Sequence, residues 1–419
     1  MRKEEFSGKN QPKVAIVGGG AAGFFAAISA KQHWPDASVC ILEKSNKFLA
    51  KVKISGGGRC NVTHHCPDIQ ELAKAYPRGE KQLRKAFHQF SANDTIEWFE
   101  SRGVPLKTYP DGCIFPLAND SQVIIDSFLK ACKQLGVELM LQQTISKIEP
   151  HSNGVSLVQN EQEYFYDRVI VCTGGQPKLS NLYWLEELGL DIIEPQPSLF
   201  TFNMPKNPIC ELMGTVVSNA SAKIEGTKLT GRGPLLITHW GMSGPAILLL
   251  SAWGARILAE KNYQFHVLVN WLDDAKEDNL RAQLEQTSQA QAGKKMSNWN
   301  PTPLTNRLWL HLLERSEINP DLRWSELGKK GLNRLVNTLL NDRYQVQGKT
   351  TFKEEFVTAG GLSLSEIDFQ TMRTKKIPQL SFAGEILDID GITGGYNFQA
   401  AWTTGFIAGK YAFDPEKAL

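Results

Sequence analysis

Three glycines, Gly18, Gly20 and Gly23, stand in the order G-x-G-x-x-G inside the apolar run VAIVGGGAAGFFAAISA, residues 14–30. That spacing suits the binding of a pyrophosphate. The first glycine permits a tight turn, the second lets the backbone approach the phosphates, and the third lets the next helix lie close on its strand. The helix N-terminus adds unpaired N–H groups and a positive dipole. Glu43 follows 20 residues after Gly23. A carboxylate at that distance can accept hydrogen bonds from both hydroxyls of an adenosine ribose, and it would repel a 2′-phosphate, which disfavours NADP here.

Positioning these residues takes a strand, a helix and a second strand. Val14 to Val17 read as a buried parallel strand, AAGFFAAISAKQ as an Ala-rich helix, and SVCILE (38–43) as a second strand closing on Glu43. A signal peptide does not fit, because the apolar run starts after thirteen residues and glycines interrupt it. The other long apolar stretch, GPAILLLSAWGARIL (244–258), is too short to span a bilayer and reads as a buried helix.

The chain has 419 residues and is 42% hydrophobic, enough for two or three domains with large cores. Lys and Arg number 46 against 44 Asp and Glu, so bulk charge argues for neither a nucleic acid nor a membrane partner. Seven scattered cysteines, an odd number, suggest a reducing, cytoplasmic setting rather than a disulfide framework. The oligomeric state is left open.

The later segments discriminate between dinucleotides. YDRVIVCTGG (166–175) reads as a strand ending in Thr173-Gly174-Gly175, after a hairpin over 151–166. IPQLSFAGEILDIDGITGGYNFQAAWTTGFIAGKYA (377–412) gives a strand, Gly384-Glu385, a loop carrying Gly394 and Gly395, and a helix opening near Asn397. This order resembles the glutathione-reductase-like FAD fold. The resemblance implies an adenosine site at the N-terminus and a late Gly-Asp pair on the ribityl chain, where this sequence carries Glu385. It also implies a last helix whose N-terminus, at Tyr396 to Phe398, stabilises negative charge on reduced flavin by roughly 0.3–1 kcal/mol. No second G-x-G-x-x-G occurs, so NAD(P)H would have to bind transiently by another mode.

Four motifs narrow the resemblance: KFLAKVKISGGGRCNVTHH (47–65), THWGMSGPAIL (238–248), VTAGGLSLSEID (357–368) and FAGEILDIDGITGGYNFQAAW (382–402). Together they closely resemble the YhiN/BaiN-like, or aminoacetone-oxidase-like, family of bacterial FAD-dependent oxidoreductases. The resemblance implies an α/β fold: a FAD-binding Rossmann domain split by an inserted domain with β-barrel-like and helical parts. The expected bounds are 1–195 and 351–419 for the FAD domain and 196–350 for the insert. Composition agrees. A helical stretch is expected over 83–103, short strands with Gly and Pro breaks after Pro197, and helices over 274–295, 304–315 and 327–344.

In SGGGRCN (55–61), Gly57 and Gly58 free the backbone for close approach to a ring or phosphate, and Arg59 can neutralise pyrophosphate with its fork of donors. Cys60 and Asn61 complete that contact. Ala21, Ala22, Lys44 and Ile145 join the expected cofactor set. For catalysis the candidates are His239, a titratable group suited to proton transfer, and Tyr396. The run CNVTHHC invites two alternatives, zinc bound by Cys60, His64, His65 and Cys66, and a flavin-linked disulfide between Cys60 and Cys66. The spacing matches neither a standard zinc site nor the C-x4-C of disulfide reductases, so no metal is expected. The expected activity is hydride transfer between flavin N5 and a small organic substrate, with NAD(P)H or oxygen as redox partner. A flavin-binding protein without turnover of its own is the alternative from a different class.

Overall fold

The computed structural model describes residues 11–273, 275–350 and 357–414. They form two compact units, one built from residues up to Pro197 together with those from Val357 onward, the other from Ser198 to Thr350. Residues 1–10, Asp274 of the expected 274–295 helix, residues 351–356 of the expected C-terminal FAD segment, and residues 415–419 lie outside the described residues.

In the first unit, β1 (Lys13–Val17) pairs in parallel with β2 (Ser38–Leu42) on one side and with Arg168–Val171 on the other. Glu138–Met140 extends the sheet beyond β2, and Leu380–Phe382 extends it beyond Arg168–Val171, both in parallel. Two short antiparallel strands, Arg373–Thr374 and Ile367–Asp368, finish that edge. The central strands are apolar on both faces because both are covered; Ala15, Ile16, Ile41 and Ile170 have no exposed surface. The register sets Val17 level with Leu42 and Val171, and Val171 level with Phe382. Gly18, Glu43, Cys172 and Ala383 therefore leave the sheet together along its carboxyl edge, where open α/β sheets bind ligands.

The helix after β1, α1 (Ala21–His33), lies backbone to backbone against the last helix, Tyr396–Lys410. A Cβ on Gly405 would come within 2.5 Å of the Ala22 carbonyl oxygen, and one on Gly409 within 2.2 Å of that of Ala26. Phe25 fills the space beneath, with Trp98, Phe128 and Trp402 around its ring. The single helical stretch expected over 83–103 is two helices, Glu80–Phe87 and Ala92–Glu100. The first ends at Phe87, and Ser91 starts the second. Its hydroxyl and the Asp94 carboxylate form a capping box, which satisfies first-turn N–H groups.

In the second unit an antiparallel sheet runs in the order Asp342–Gln347, Gln264–Asn270, Val216–Ile224, Thr230–Thr238, Gly241–Ser243, Thr201–Asn203 and Lys349–Thr350. Its first and last strands are one chain excursion, bent at Gly348 with φ 100°. The sheet thus closes on itself, the barrel-like form expected. Helices Glu277–Ala290, Asn306–Arg315 and Gly328–Asn341 lie beside it and bury Leu284, Trp309 and Leu335 in one core with Trp271. The apolar run 244–258, expected as one helix, breaks into Pro245–Trp253 and Ala255–Glu260 at Gly254. Among the described residues no helix is long and apolar enough to cross a membrane.

Candidate cofactor site

The glycine loop has the geometry its spacing predicts. Gly18 has φ 111°, and a Cβ there would sit 2.4 Å from the Cys172 carbonyl oxygen. A Cβ on Gly23 would sit 2.0 Å from the Gly18 oxygen, so the third glycine is what lets α1 close on β1. Gly20 differs. A Cβ there meets nothing within 4 Å, and no side chain caps α1. Open space therefore stands in front of the first-turn N–H groups of α1, where Ala21 begins the helix and Ala22 backs onto Gly384. Glu43 closes β2 beside this loop. Its Oε2 accepts the Gly19 N–H and its Oε1 the Ser45 N–H, each at 2.8 Å, with exposed Lys44 between.

Next comes the turn at Gly56, Gly57 and Gly58, all in left-handed backbone (φ 57°, 68° and 82°), followed by Cys60 at φ 60°. Arg59 Nε donates to the Gly56 oxygen at 3.1 Å, and its guanidinium lies 4.4 Å from the Phe115 ring centre. One of the five N–H donors of the guanidinium is thus used within its own turn. Cys60 is fully buried, and burial pushes its thiol up to about 12. It stays a thiol at neutral pH, so in the thiol–disulfide alternative Cys60 is not the attacking group. Asn61, next in the chain, has a buried Oδ1 without a hydrogen-bond partner.

Across the edge, exposed Thr173 leads into Gly174 (φ 74°) and Gly175. A Cβ on Gly175 would meet both the Glu385 carboxylate and Thr358 Oγ1 at 2.7 Å. Glu385, expected on the ribityl chain, has both oxygens engaged within the protein. Oε1 accepts the Thr358 N–H at 2.9 Å and Oε2 pairs with Lys51 at 3.0 Å. Thr358 Oγ1 is a second buried oxygen without a partner. Neither Lys51 nor Thr358 carries a local sequence signal for this role, since both meet Glu385 only through the fold.

The last helix opens at Tyr396, one residue before the expected start, with Gly394 (φ 124°) and Gly395 (φ 93°) ahead of it and no side-chain cap. Asn397 turns back onto its own loop. Its Oδ1 accepts the Gly391 N–H at 2.8 Å and its Nδ2 donates to the Gly391 oxygen at 3.0 Å. Tyr396 is nearly buried. Its ring stacks on His64 at 4.7 Å, its carbonyl accepts the Tyr76 hydroxyl at 2.7 Å, and burial first, then Cys66 and Cys113, keeps its phenol protonated. His64 Nδ1 lies 3.1 Å from the Gly394 carbonyl, which can only accept, so Nδ1 carries the proton. Burial holds the His64 ring below its ordinary value. A buried Arg78–Asp390 ion pair fixes the start of this loop. Sequence reasoning left His64 in the zinc alternative and missed Tyr76 and Arg78. Among the described residues no group of three or more His, Cys, Asp and Glu side chains is placed to hold a metal ion.

Two expected residues stand on other elements, Ile145 two residues after Gln143, whose N–H donates to the Glu43 carbonyl at 2.8 Å. Ile145 opens the Ile145–Pro150 strand of a separate three-stranded sheet, opposite Gln159. His239 belongs to the second unit, on the exposed turn between Thr230–Thr238 and Gly241–Ser243, with its ring centre 4.3 Å from that of Trp240.

These residues fit a dinucleotide. A Cβ-free opening faces one uncapped helix end, a carboxylate stands beside it, and an unpartnered acceptor stands by a second uncapped helix end. The arrangement defines a FAD-binding Rossmann domain. The chain belongs to the HI0933-like family, whose Rossmann-domain description matches residues 12–411. It is 28% identical over 401 residues to the ribosomal RNA dihydrouridine synthase of Escherichia coli (strain K12), covering 93% of this chain and 95% of that one. It is 27% identical over 413 residues to the 3-dehydro-bile acid delta(4,6)-reductase of Clostridium scindens, covering 96% and 98%. The fold is similar to 3-ketosteroid delta1-dehydrogenase from Sterolibacterium denitrificans, with TM-score 0.51, 12% identity, and coverage of 95% of this chain and 98% of that one. The protein is a flavoprotein oxidoreductase with FAD as its cofactor.

Proposed function

We propose that this oxidoreductase adds hydrogen across an electron-poor carbon–carbon double bond, conjugated to a carbonyl, in a ring of its substrate. The observation that carries the reading is the uncapped N-terminus of the Tyr396–Lys410 helix beside unpartnered Asn61 Oδ1. A positive helix end there favours negative charge on the reduced cofactor, the electron-rich state a reductase needs. The substrate class rests on the two relatives. One is named for making dihydrouridine, in which a uracil double bond is saturated, and the other for reducing the 4,6 double bonds of a 3-oxo bile acid. When bound, FAD supplies hydride transfer at N5.

The chain's own residues do the rest. The first-turn N–H groups of α1 and the Gly20 opening hold the pyrophosphate, and Glu43 accepts from the adenosine ribose. Gly57, Gly58, Gly174, Gly384 and Gly394 leave backbone bare for the remainder of the cofactor. Hydride on one carbon leaves an enolate that needs a proton on its neighbour. Tyr396, whose phenol stays protonated, is the residue we assign to deliver it, and His239 is the alternative donor to be tested.

The test uses holoenzyme reduced chemically under anaerobic conditions and then mixed with a cyclic enone. Rapid reoxidation with formation of the saturated ketone supports the reading. Reoxidation by oxygen alone, with the enone untouched, overturns it. NADH and NADPH as reductants in place of the chemical one identify the electron donor. His239→Asn should lower enone turnover about 10²–10⁴-fold with FAD still bound if His239 delivers the proton. A rate within a few-fold of wild type removes it from the mechanism and leaves Tyr396→Phe as the deciding variant.

A further inference from the structure

We infer that Asn61 Oδ1 is the acceptor for the N3–H of the flavin pyrimidine, and that Asn61 with the N-terminus of the Tyr396–Lys410 helix forms a donor–acceptor edge that selects that ring. The inference rests on the cofactor of the reading above and not on its substrate.

Three observations meet here. Asn61 hydrogen-bonds the Cys113 thiol, while its Oδ1 is buried and has no partner, so the contact with Cys113 uses the amide nitrogen. That Oδ1 lies beside Gly395, where an added Cβ would be 2.8 Å from it and 2.7 Å from the Thr63 carbonyl. Gly395 is the residue before the helix, in left-handed backbone at φ 93°, and no side chain caps the N–H groups that follow. An acceptor without a donor therefore stands next to donors without an acceptor. The matching ligand edge presents an N–H flanked by carbonyl oxygens, and the flavin pyrimidine has that pattern at C2, N3 and C4.

The backbone that carries Asn61 is held in place by its neighbours. The Val62 N–H donates to the Ile114 oxygen at 2.8 Å, and the Val62 carbonyl accepts Trp402 Nε1 at 2.9 Å. Thr63 Oγ1 donates to Gln399 Oε1 at 2.6 Å, and Thr95 Oγ1 donates to the same oxygen at 2.9 Å. Both Trp402 and Gln399 belong to the last helix, so the segment carrying Asn61 and the helix end are held as one piece. A buried acceptor kept unpaired in that way is costly until a donor arrives. Such preorganisation makes a contact selective, because the wrong ligand leaves the acceptor unpaired.

The test reconstitutes apoprotein with FAD and with FAD methylated at N3. Wild type should bind the methylated cofactor about tenfold or more weakly, the loss expected for one buried hydrogen bond. Asn61→Ala should bind the two with similar affinity. Should that variant fail to fold, Asn61→Asp keeps the shape and adds charge. Its midpoint potential should fall below that of wild type, because a carboxylate at N3 opposes negative charge on the reduced ring. Undiminished discrimination in Asn61→Ala, or an unchanged potential in Asn61→Asp, overturns the inference. Both readouts are equilibrium measurements without substrate, so their failure is separate from failure of enone reduction.

Discussion

The Glu43 carboxylate accepts the Gly19 N–H at 2.8 Å, which joins the end of β2 to the loop that closes β1. The residue expected to hold the ribose is thus already aligned by the backbone expected to hold the pyrophosphate. Preorganisation of that kind lowers the cost of ordering the site when the cofactor arrives.

Replacing Glu43 with Gln tests this directly. The amide keeps the shape but loses the charge that strengthens acceptance from two hydroxyls, roughly 1–3 kcal/mol for hydrogen bonds to a charged group. FAD affinity measured by titration of apoprotein should fall about one to two orders of magnitude, with the bound spectrum unchanged at saturation. Unaltered affinity would make Glu43 a strand-end residue that only fastens Gly19.

The glycines of the loop should separate by function. Gly23→Ala places a Cβ 2.0 Å from the Gly18 oxygen and should cost about 1–3 kcal/mol or more of folding stability. Gly20→Ala meets no protein atom within 4 Å. It should cost at most about 1 kcal/mol of stability, the N-cap preference for glycine over alanine, while weakening FAD about tenfold or more, since the methyl occupies the phosphate's approach. Urea unfolding of apoprotein and FAD titration read the two effects apart. Equal stability losses would refute the assignment.

Thiol labelling distinguishes the cysteines. Cys60 is buried and stays protonated, whereas Cys66 and Cys113 are partly exposed. At mildly alkaline pH, Cys66 and Cys113 should label within minutes and Cys60 only on unfolding, as read by peptide mass spectrometry. Cys60→Ser should retain reductase turnover. Loss of turnover with FAD still bound would restore Cys60 to the chemistry.

His64 sets an acid limit on stability. Burial lowers its folded value below the ordinary 6.5, so the unfolded chain takes up the proton first as pH falls. The stability this neutral ring contributes is complete above about pH 6.5 and is lost as pH drops from there toward the folded value. His64→Phe keeps the stack on Tyr396 without the titration. Its urea midpoint should fall less than wild type's on acidification, and parallel acid limbs would show that other groups govern the loss.

The parts of the site legible in the sequence are those where backbone geometry demands a residue type. Gly18 and Gly23 leave such a trace because a Cβ would be incompatible with the turn, and Glu43 leaves one through its spacing after Gly23 at the end of β2. Glu385 was legible as a position but not in its partners, because Lys51 and Thr358 reach it only through the sheet. The orphaned oxygen of Asn61 depends on what does not surround it, which no spacing encodes. The break at Ser91 could have been found, since Ser91 and Asp94 spell a capping box. Gly254 could not, because the apolar run continues through it without a polar signal.

The Leu380–Phe382 strand beside Arg168–Val171, and the last helix against α1, bear on how the protein is born. On the ribosome, β1 and α1 emerge early with apolar surface that only the last-made segments can cover. The second unit is contiguous and can complete its sheet in the meantime. At ordinary elongation rates the first unit waits about ten to forty seconds for its partner strand. Interruption of translation just after the insert would therefore release a chain with a finished barrel and an open, adhesive nucleotide fold, a species that chaperones or proteases must recognise.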